Sequence, residues 1–296
     1  MDLLTHAFSV ILLAQPLGGQ IIGFGIIGTV LPDLDILLHR FSEGSPRLYI
    51  FSHGGITHSI PGCIFLSIVA FSVIFLLGAA GFLSLPSGSE FWILGLAMVV
   101  GGSLLHIVLD YLAYPGIPLF FPISDRKYTL GIFPGPSLFL TGVSVVFLVL
   151  LVTGISDIDG IYVWGIVFSA FITLNFIKWG IATHTFRNQK VIPTFNPLQW
   201  ILVAETADEY IIRRYSVTGG VYQNRVYEKM RDVEDDEIRT LADDPEMKRI
   251  RYFSYFTVAE KNAGFIRIYD PLRDSGLIRY PLDFREISVR SPVSRE

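Results

Sequence analysis

Runs of about 20 apolar residues recur through the first 182 positions, and they leave the backbone few choices. In a bilayer every N–H and C=O must be paired inside the segment, so such runs fold as helices. Four segments have the length: roughly 60–84, 91–113, 134–155 and 161–182. Residues 3–37 divide differently. The stretches Leu3 to Ala14 and Gln20 to Leu31 are apolar, but Pro16-Leu17-Gly18-Gly19 breaks between them. Each arm would be about 18 Å long at the helical rise, short for a span. Residues 3–37 are therefore expected as a short helical hairpin, re-entrant or packed against the long spans.

Charge divides the chain in two. Residues 1–190 hold 7 of the 23 Lys and Arg and 9 of the 27 Asp and Glu. The remainder has the composition of a water-soluble domain. The expected fold is an all-α polytopic membrane domain over 1–190, followed by a small α+β domain over 191–296. In the tail, residues 200–206, 209–217, 221–227, 252–260 and 265–269 read as strands. Asp232 to Arg249, acidic first and basic last, reads as one or two short helices. With a net charge of −2 in each part, no basic field argues for nucleic acid. One cysteine, Cys63, excludes a disulfide framework and a thiolate metal site. The N-terminus lacks a basic leader and carries Asp2 and His6, unlike a signal peptide.

The loops orient the chain. Arg40 and Arg47, Arg126 and Lys127, and Arg187 and Lys190 all fall on one side of the expected spans. The opposite loops, near 85–90 and 154–160, hold only Glu90, Asp157 and Asp159. The positive-inside rule makes the first side cytoplasmic, in a multi-pass plasma (inner) membrane protein whose C-terminal domain is also cytoplasmic.

Five of the six histidines lie in the first 110 residues, with three aspartates among the apolar runs. They read Thr5-His6, Pro32-Asp33-Leu34-Asp35, His39, His53, Thr57-His58-Ser59 and His106-x-x-x-Asp110. Ionisable groups at membrane depth are costly and point to function. By the topology above, all of them reach the same membrane face. Imidazole with carboxylate is the ligand set of a zinc-type site. His106 and Asp110 share a helix face, and so do Asp35 and His39. The expected metal ligands are His6, Asp33, Asp35, His58, His106 and Asp110. The expected catalytic residues are Asp33, Asp35 and His53, with an aspartate that is not a ligand as general base. Thr57 and Ser59 are placed to cap or bond the site. His184 reads as interfacial. No His-Glu-x-x-His and no Gly-x-Ser-x-Gly occurs.

These motifs, in this order among apolar spans, resemble the YdjM/YbcI-type inner-membrane proteins, described as metal-dependent hydrolases. The resemblance covers roughly residues 1–190. Asn196-Pro197-Leu198-x-Trp200 and the strands after it are similar to the tail of longer members. Where that family often has His-Arg before Thr-His-Ser, this chain has His53-Gly54-Gly55 and lacks the guanidinium. The ligand order is remotely similar to the zinc phospholipase C/P1 nuclease superfamily, which implies phosphoester cleavage.

Together these readings suggest a divalent-metal hydrolase, zinc expected with one or more ions. Its substrate would be a lipid or lipid-linked phosphoester at the cytoplasmic interface. Its partners would be the lipid bilayer and not nucleic acid, with a protein partner for the tail left open. Two alternatives stand beside it: a ceramidase-like amide hydrolase, and a non-catalytic metal-binding envelope factor. A transporter would place its ionisable groups near mid-membrane instead.

Overall fold

The computed structural model describes residues 1–278 and 285–291, with the side chain of His39 outside the described set. Two units are distinguished by their internal contacts. One comprises Met1–Arg40 and Phe51–Lys178, the other Phe41–Ile50 and Trp179–Glu296.

The first unit begins with the expected hairpin. Helix α1 (Leu3–Ala14) is capped by Asp2, whose carboxylate accepts from the Thr5 backbone N–H. The chain turns at Gln15–Leu17 and Gly18, where φ is +91°, and returns as α2 (Gly19–Val30). A 3-10 helix, Leu31–Leu37, continues it, with Pro32 in its first turn, and α3 (His39–Gly44) follows. Next come α4 (Ile60–Ala79) and α5 (Ser89–Tyr111), then α6 (Leu138–Val152) and α7 (Ile161–Thr185). A short parallel pair, β1 (Ala113–Tyr114) and β2 (Phe133–Pro134), brackets the loop after α5.

Four helical runs are long and apolar enough to cross a membrane: Gly19–Gly44, Ile60–Ala79, Ser89–Tyr111 and Ile158–Thr185. This corrects the sequence reading at two places. The segment expected as a span over 134–155 is the 15-residue helix α6. Its start is lost because Phe133 and Pro134 pair with β1, and its end because Gly154 turns at φ +71°. Conversely, the second arm of the hairpin runs on through the 3-10 segment to Gly44 and reaches spanning length.

Small residues bring α2 and α5 together. A Cβ on Gly28 would stand 2.0 Å from the Val99 carbonyl oxygen, and one on Gly102 would stand 2.3 Å from that of Gly25. With little hydrophobic force between helices in lipid, such backbone contact and polar cross-links hold them. Ser103 Oγ donates to Gly28 O at 2.8 Å and receives Ser67 Oγ of α4 at 2.8 Å. Helices α1, α6 and α7 meet around Phe8, Phe147, Ile161 and Trp164. There Ser144 joins Thr5 Oγ1 (3.1 Å) and Trp164 Nε1 (3.1 Å). At the end of this unit away from His6, the Gln15 side chain bonds Asp159 and Tyr162. The starts of α1 and α4 and the ends of α2 and α5 therefore share the other end.

The second unit carries two four-stranded sheets. Strands β3 (Lys190–Pro193), β4 (Gln199–Glu205), β5 (Glu209–Ser216) and β6 (Gly220–Glu228) form an antiparallel meander. The other sheet has the order β10-β9-β8-β7. Its strands are β7 (Met230–Arg231), β8 (Val258–Asn262), β9 (Phe265–Tyr269) and β10 (Glu286–Arg290), with β7 and β8 parallel. Helices α8 (Asp235–Leu241), α9 (Pro245–Phe253) and α10 (Pro271–Asp274) complete it. Its core is Leu241, Met247, Ile250, Ala259, Ile266 and Ile268. The strand expected over 252–260 starts only at Val258, because Tyr252 and Phe253 finish α9, whose apolar face they extend.

Candidate metal centre

The local sequence explains how each side chain arrives. Asp2 caps α1 and sets its first turn, which carries His6. Pro32 opens the 3-10 helix that turns Asp33 and Asp35 off the end of α2. The Ser59 side chain caps α4 by accepting from Gly62 N, which ends the 3-10 turn Ile56–His58. His106 and Asp110 lie one helical turn apart on α5.

Four of the expected ligands converge tightly. His58 Nε2 and His106 Nε2 are 3.2 Å apart. Asp110 Oδ2 lies 3.5 Å from the former and 3.3 Å from the latter. Asp33 Oδ1 lies 3.5 and 3.6 Å from the same two atoms. Around a tetrahedral zinc with bonds of about 2.0–2.1 Å, ligand atoms stand about 3.3–3.4 Å from one another. The spacing matches that edge.

The other ring nitrogens are already occupied. His106 Nδ1 is 2.7 Å from the Thr29 carbonyl, which accepts its proton. His58 Nδ1 is 3.2 Å from Asp35 Oδ2 and 3.1 Å from Thr57 Oγ1. A hydrogen-bonded Nδ1 fixes the tautomer that leaves an Nε2 lone pair facing the pocket, the arrangement that orients metal-ligating histidines.

Asp35, expected as a ligand, is placed behind His58 instead. It is fully buried, and both oxygens are taken. Oδ1 receives His53 Nδ1 at 2.7 Å. Oδ2 receives Gly54 N at 3.0 Å and Thr57 Oγ1 at 2.7 Å. The His53 side chain is 44% exposed. It belongs with Asp33 and His58 to one of three ligand groups whose atoms lie within 4.8 Å of each other.

His6 is fully buried, and its ring stacks on His106 with centroids 3.8 Å apart. Its Nε2 lies 3.3 Å from Asp110 Oδ1, which the Met1 amino group also contacts. Among the described residues neither ring nitrogen of His6 makes a hydrogen bond. His184 pairs with Arg187 and belongs to the other unit.

The charge balance is lopsided. Among the described residues no Lys or Arg pairs with Asp33, Asp35 or Asp110; their titratable partners are imidazoles and, at Asp110, the Met1 amino group. Burial opposes a charge on His58, yet the carboxylates of Asp33 and Asp35 outweigh it and push its pKa up to about 10. Asp33, His58, His106 and Asp110 together make a donor set that could hold a divalent cation. The residues fit the metal.

Sequence pattern locates the ring of ligands but misses the Thr29 carbonyl and the Gly54 N–H, since backbone groups leave no residue signature. The Gly25-x-x-Gly28 spacing is the available hint of close α2–α5 contact.

Residues 1–182 match the YdjM inner membrane protein family, and the chain belongs to that family. No curated protein and no solved structure matches it.

Proposed function

We propose that this membrane protein is a metal-dependent hydrolase of phosphoesters carried on a lipid or lipid-linked molecule. One observation carries the reading: two histidines with Nδ1 engaged and two carboxylates direct four ligand atoms at one point. A bound divalent ion would polarise the scissile ester and lower the pKa of water to near 7.

The residues around that point supply the proton chemistry. His53 is held through Nδ1 by Asp35, so Nε2 is the basic nitrogen, on a side chain that is partly exposed. It takes a proton from the attacking water as the oxygen bonds to phosphorus, and returns it to the leaving alkoxide as the P–O bond breaks. Asp35 holds the ring in the right tautomer and steadies the imidazolium. This differs from the expected aspartate base, because both Asp35 oxygens are occupied and Asp33 faces the ligand point. An exposed, carboxylate-oriented histidine beside the ligands favours catalysis over metal storage.

Leu34, Ile36 and Leu37 flank Asp33 and Asp35 with exposed apolar side chains, which supports a lipid-borne substrate. The Arg and Lys residues on the same side support a cytoplasmic site and a cytoplasmic C-terminal domain. The test is turnover of a phospholipid series in detergent, with and without chelator. Chelator-sensitive phosphoester cleavage restored by zinc supports the reading. Zinc-loaded protein that cleaves only amide lipids, or nothing, rejects it.

A further inference from the structure

We infer that the cluster holds two cations, the second between His6, Asp110 Oδ1 and Asp33. The inference rests on the metal-hydrolase reading and extends it from one ion to a carboxylate-bridged pair.

Asp110 is shared between two sets of partners. Its Oδ2 faces His58 and His106 at 3.5 and 3.3 Å, and its Oδ1 faces His6 at 3.3 Å. A single ion on His58, His106, Asp33 and Asp110 would take Asp110 Oδ2 and leave Asp110 Oδ1 on the His6 side. His6, Asp33 and His106 also form a ligand group, overlapping the first set at Asp33 and His106, with atoms within 4.8 Å of one another. The first ion does not explain His6. Both ring nitrogens are buried and unbonded among the described residues. A buried polar group without a partner is costly, and the other buried polar side chains of α1, Thr5 and Ser9, do make hydrogen bonds. Stacked on His106 at 3.8 Å, with an interplanar angle of 18°, the ring is fixed beside the first ligand set. An imidazole so held, next to a carboxylate oxygen whose cationic partner among the described residues is the Met1 amino group, stands where a second divalent cation would take the place of that ammonium.

A pair of cations is compatible with a phosphoester substrate. Paired ions stabilise both the attacking and the leaving oxygen of an in-line displacement at phosphorus.

The test is titration of metal-stripped full-length protein with Co²⁺ and Mn²⁺ in detergent, read by absorbance and electron paramagnetic resonance. The expected result is two equivalents per chain with exchange-coupled Mn²⁺ in the wild type. His6→Ala is expected to bind one equivalent, uncoupled, with at least a tenfold loss of affinity for the second. A wild type that saturates at one equivalent overturns the second ion and leaves the first intact. Two coupled equivalents in both proteins overturn the assignment of His6. No binding at all overturns the pair together with the hydrolase reading. If His6→Ala does not fold, the stoichiometry and coupling of the wild type decide alone.

Discussion

Glu237 in the C-terminal unit and the Asp33–Asp110 pair in the membrane unit are largely enclosed carboxylates in different company. Glu237 closes a capping box on α8 and accepts from Lys261 Nζ at 2.8 Å and Ser291 Oγ at 2.5 Å. Those partners hold its pKa down to about 2. Nearby, Arg267 is shared among Glu260, Asp274 and Glu286. Each of these four carboxylates meets a side-chain cation, which is what a structural polar cluster requires. Asp33 meets the imidazoles of His58 and His106, and Asp110 meets imidazoles and the Met1 amino group, with no Lys or Arg beside either among the described residues. Side-chain cations thus complete the acids of one unit, while imidazoles and the chain's own amino terminus surround those of the other, and the difference separates a structural network from a candidate binding site.

The comparison breaks most visibly at the ligands. His106→Ala and Asp110→Ala are each expected to reduce metal affinity by more than about 100-fold and to abolish turnover, with helical content retained in detergent. Metal analysis after gel filtration checks this. If His106→Ala keeps its full metal content, His106 and Asp110 are only a structural pair.

His53→Ala separates chemistry from binding. Turnover is expected to fall about 10²–10⁴-fold, the usual worth of a general base, while bound metal stays at the wild-type level. A loss of metal in this variant would make His53 a ligand instead. Asp35→Asn acts one step further back. It leaves the four converging atoms in place but weakens the hold on His58, and a loss of about 10–100-fold in metal affinity is expected. An unchanged affinity would show that the Asp35–His58 contact does not orient the ring.

The smallest effect belongs to the other unit. Lys261→Met strips Glu237 of its cation and is expected to destabilise that unit by about 1–3 kcal/mol, without changing metal content. The pH dependence follows from the depressed acid. The stabilising contribution of Glu237 is complete above its ordinary value of 4.5 and is lost as pH falls toward about 2. In Lys261→Met that acid loss flattens. Thermal melts of the two proteins between those values measure it.

Much of the membrane unit is legible in the amino-acid order alone. Apolar length announces the helices, and Pro16 to Gly19 announces the first turn. The i, i+4 spacing of His106 and Asp110 places two ligands on one face. What stays hidden depends on long-range pairing. The start of α6 is lost to a two-residue strand whose partner lies at Ala113–Tyr114. Strand β10 pairs with β9, and residues 41–50 join the C-terminal unit; neither has a local signal. The roles of Asp33 and Asp35 cannot be divided from sequence, because two acids one residue apart in a 3-10 turn look alike until their neighbours are known. The ring of Tyr49 against Tyr252, 5.2 Å between centroids, is another contact no periodicity foretells.

X-ray absorption at the zinc edge on the zinc-loaded wild type tests the completed cluster most directly. The expected spectrum has only nitrogen and oxygen neighbours at about 2.0–2.2 Å, with outer-shell scattering from histidine rings that is lost in His106→Ala. Zinc that is absent after desalting, or present with water oxygens and no histidine scattering, would contradict a metal centre at His58, His106, Asp33 and Asp110.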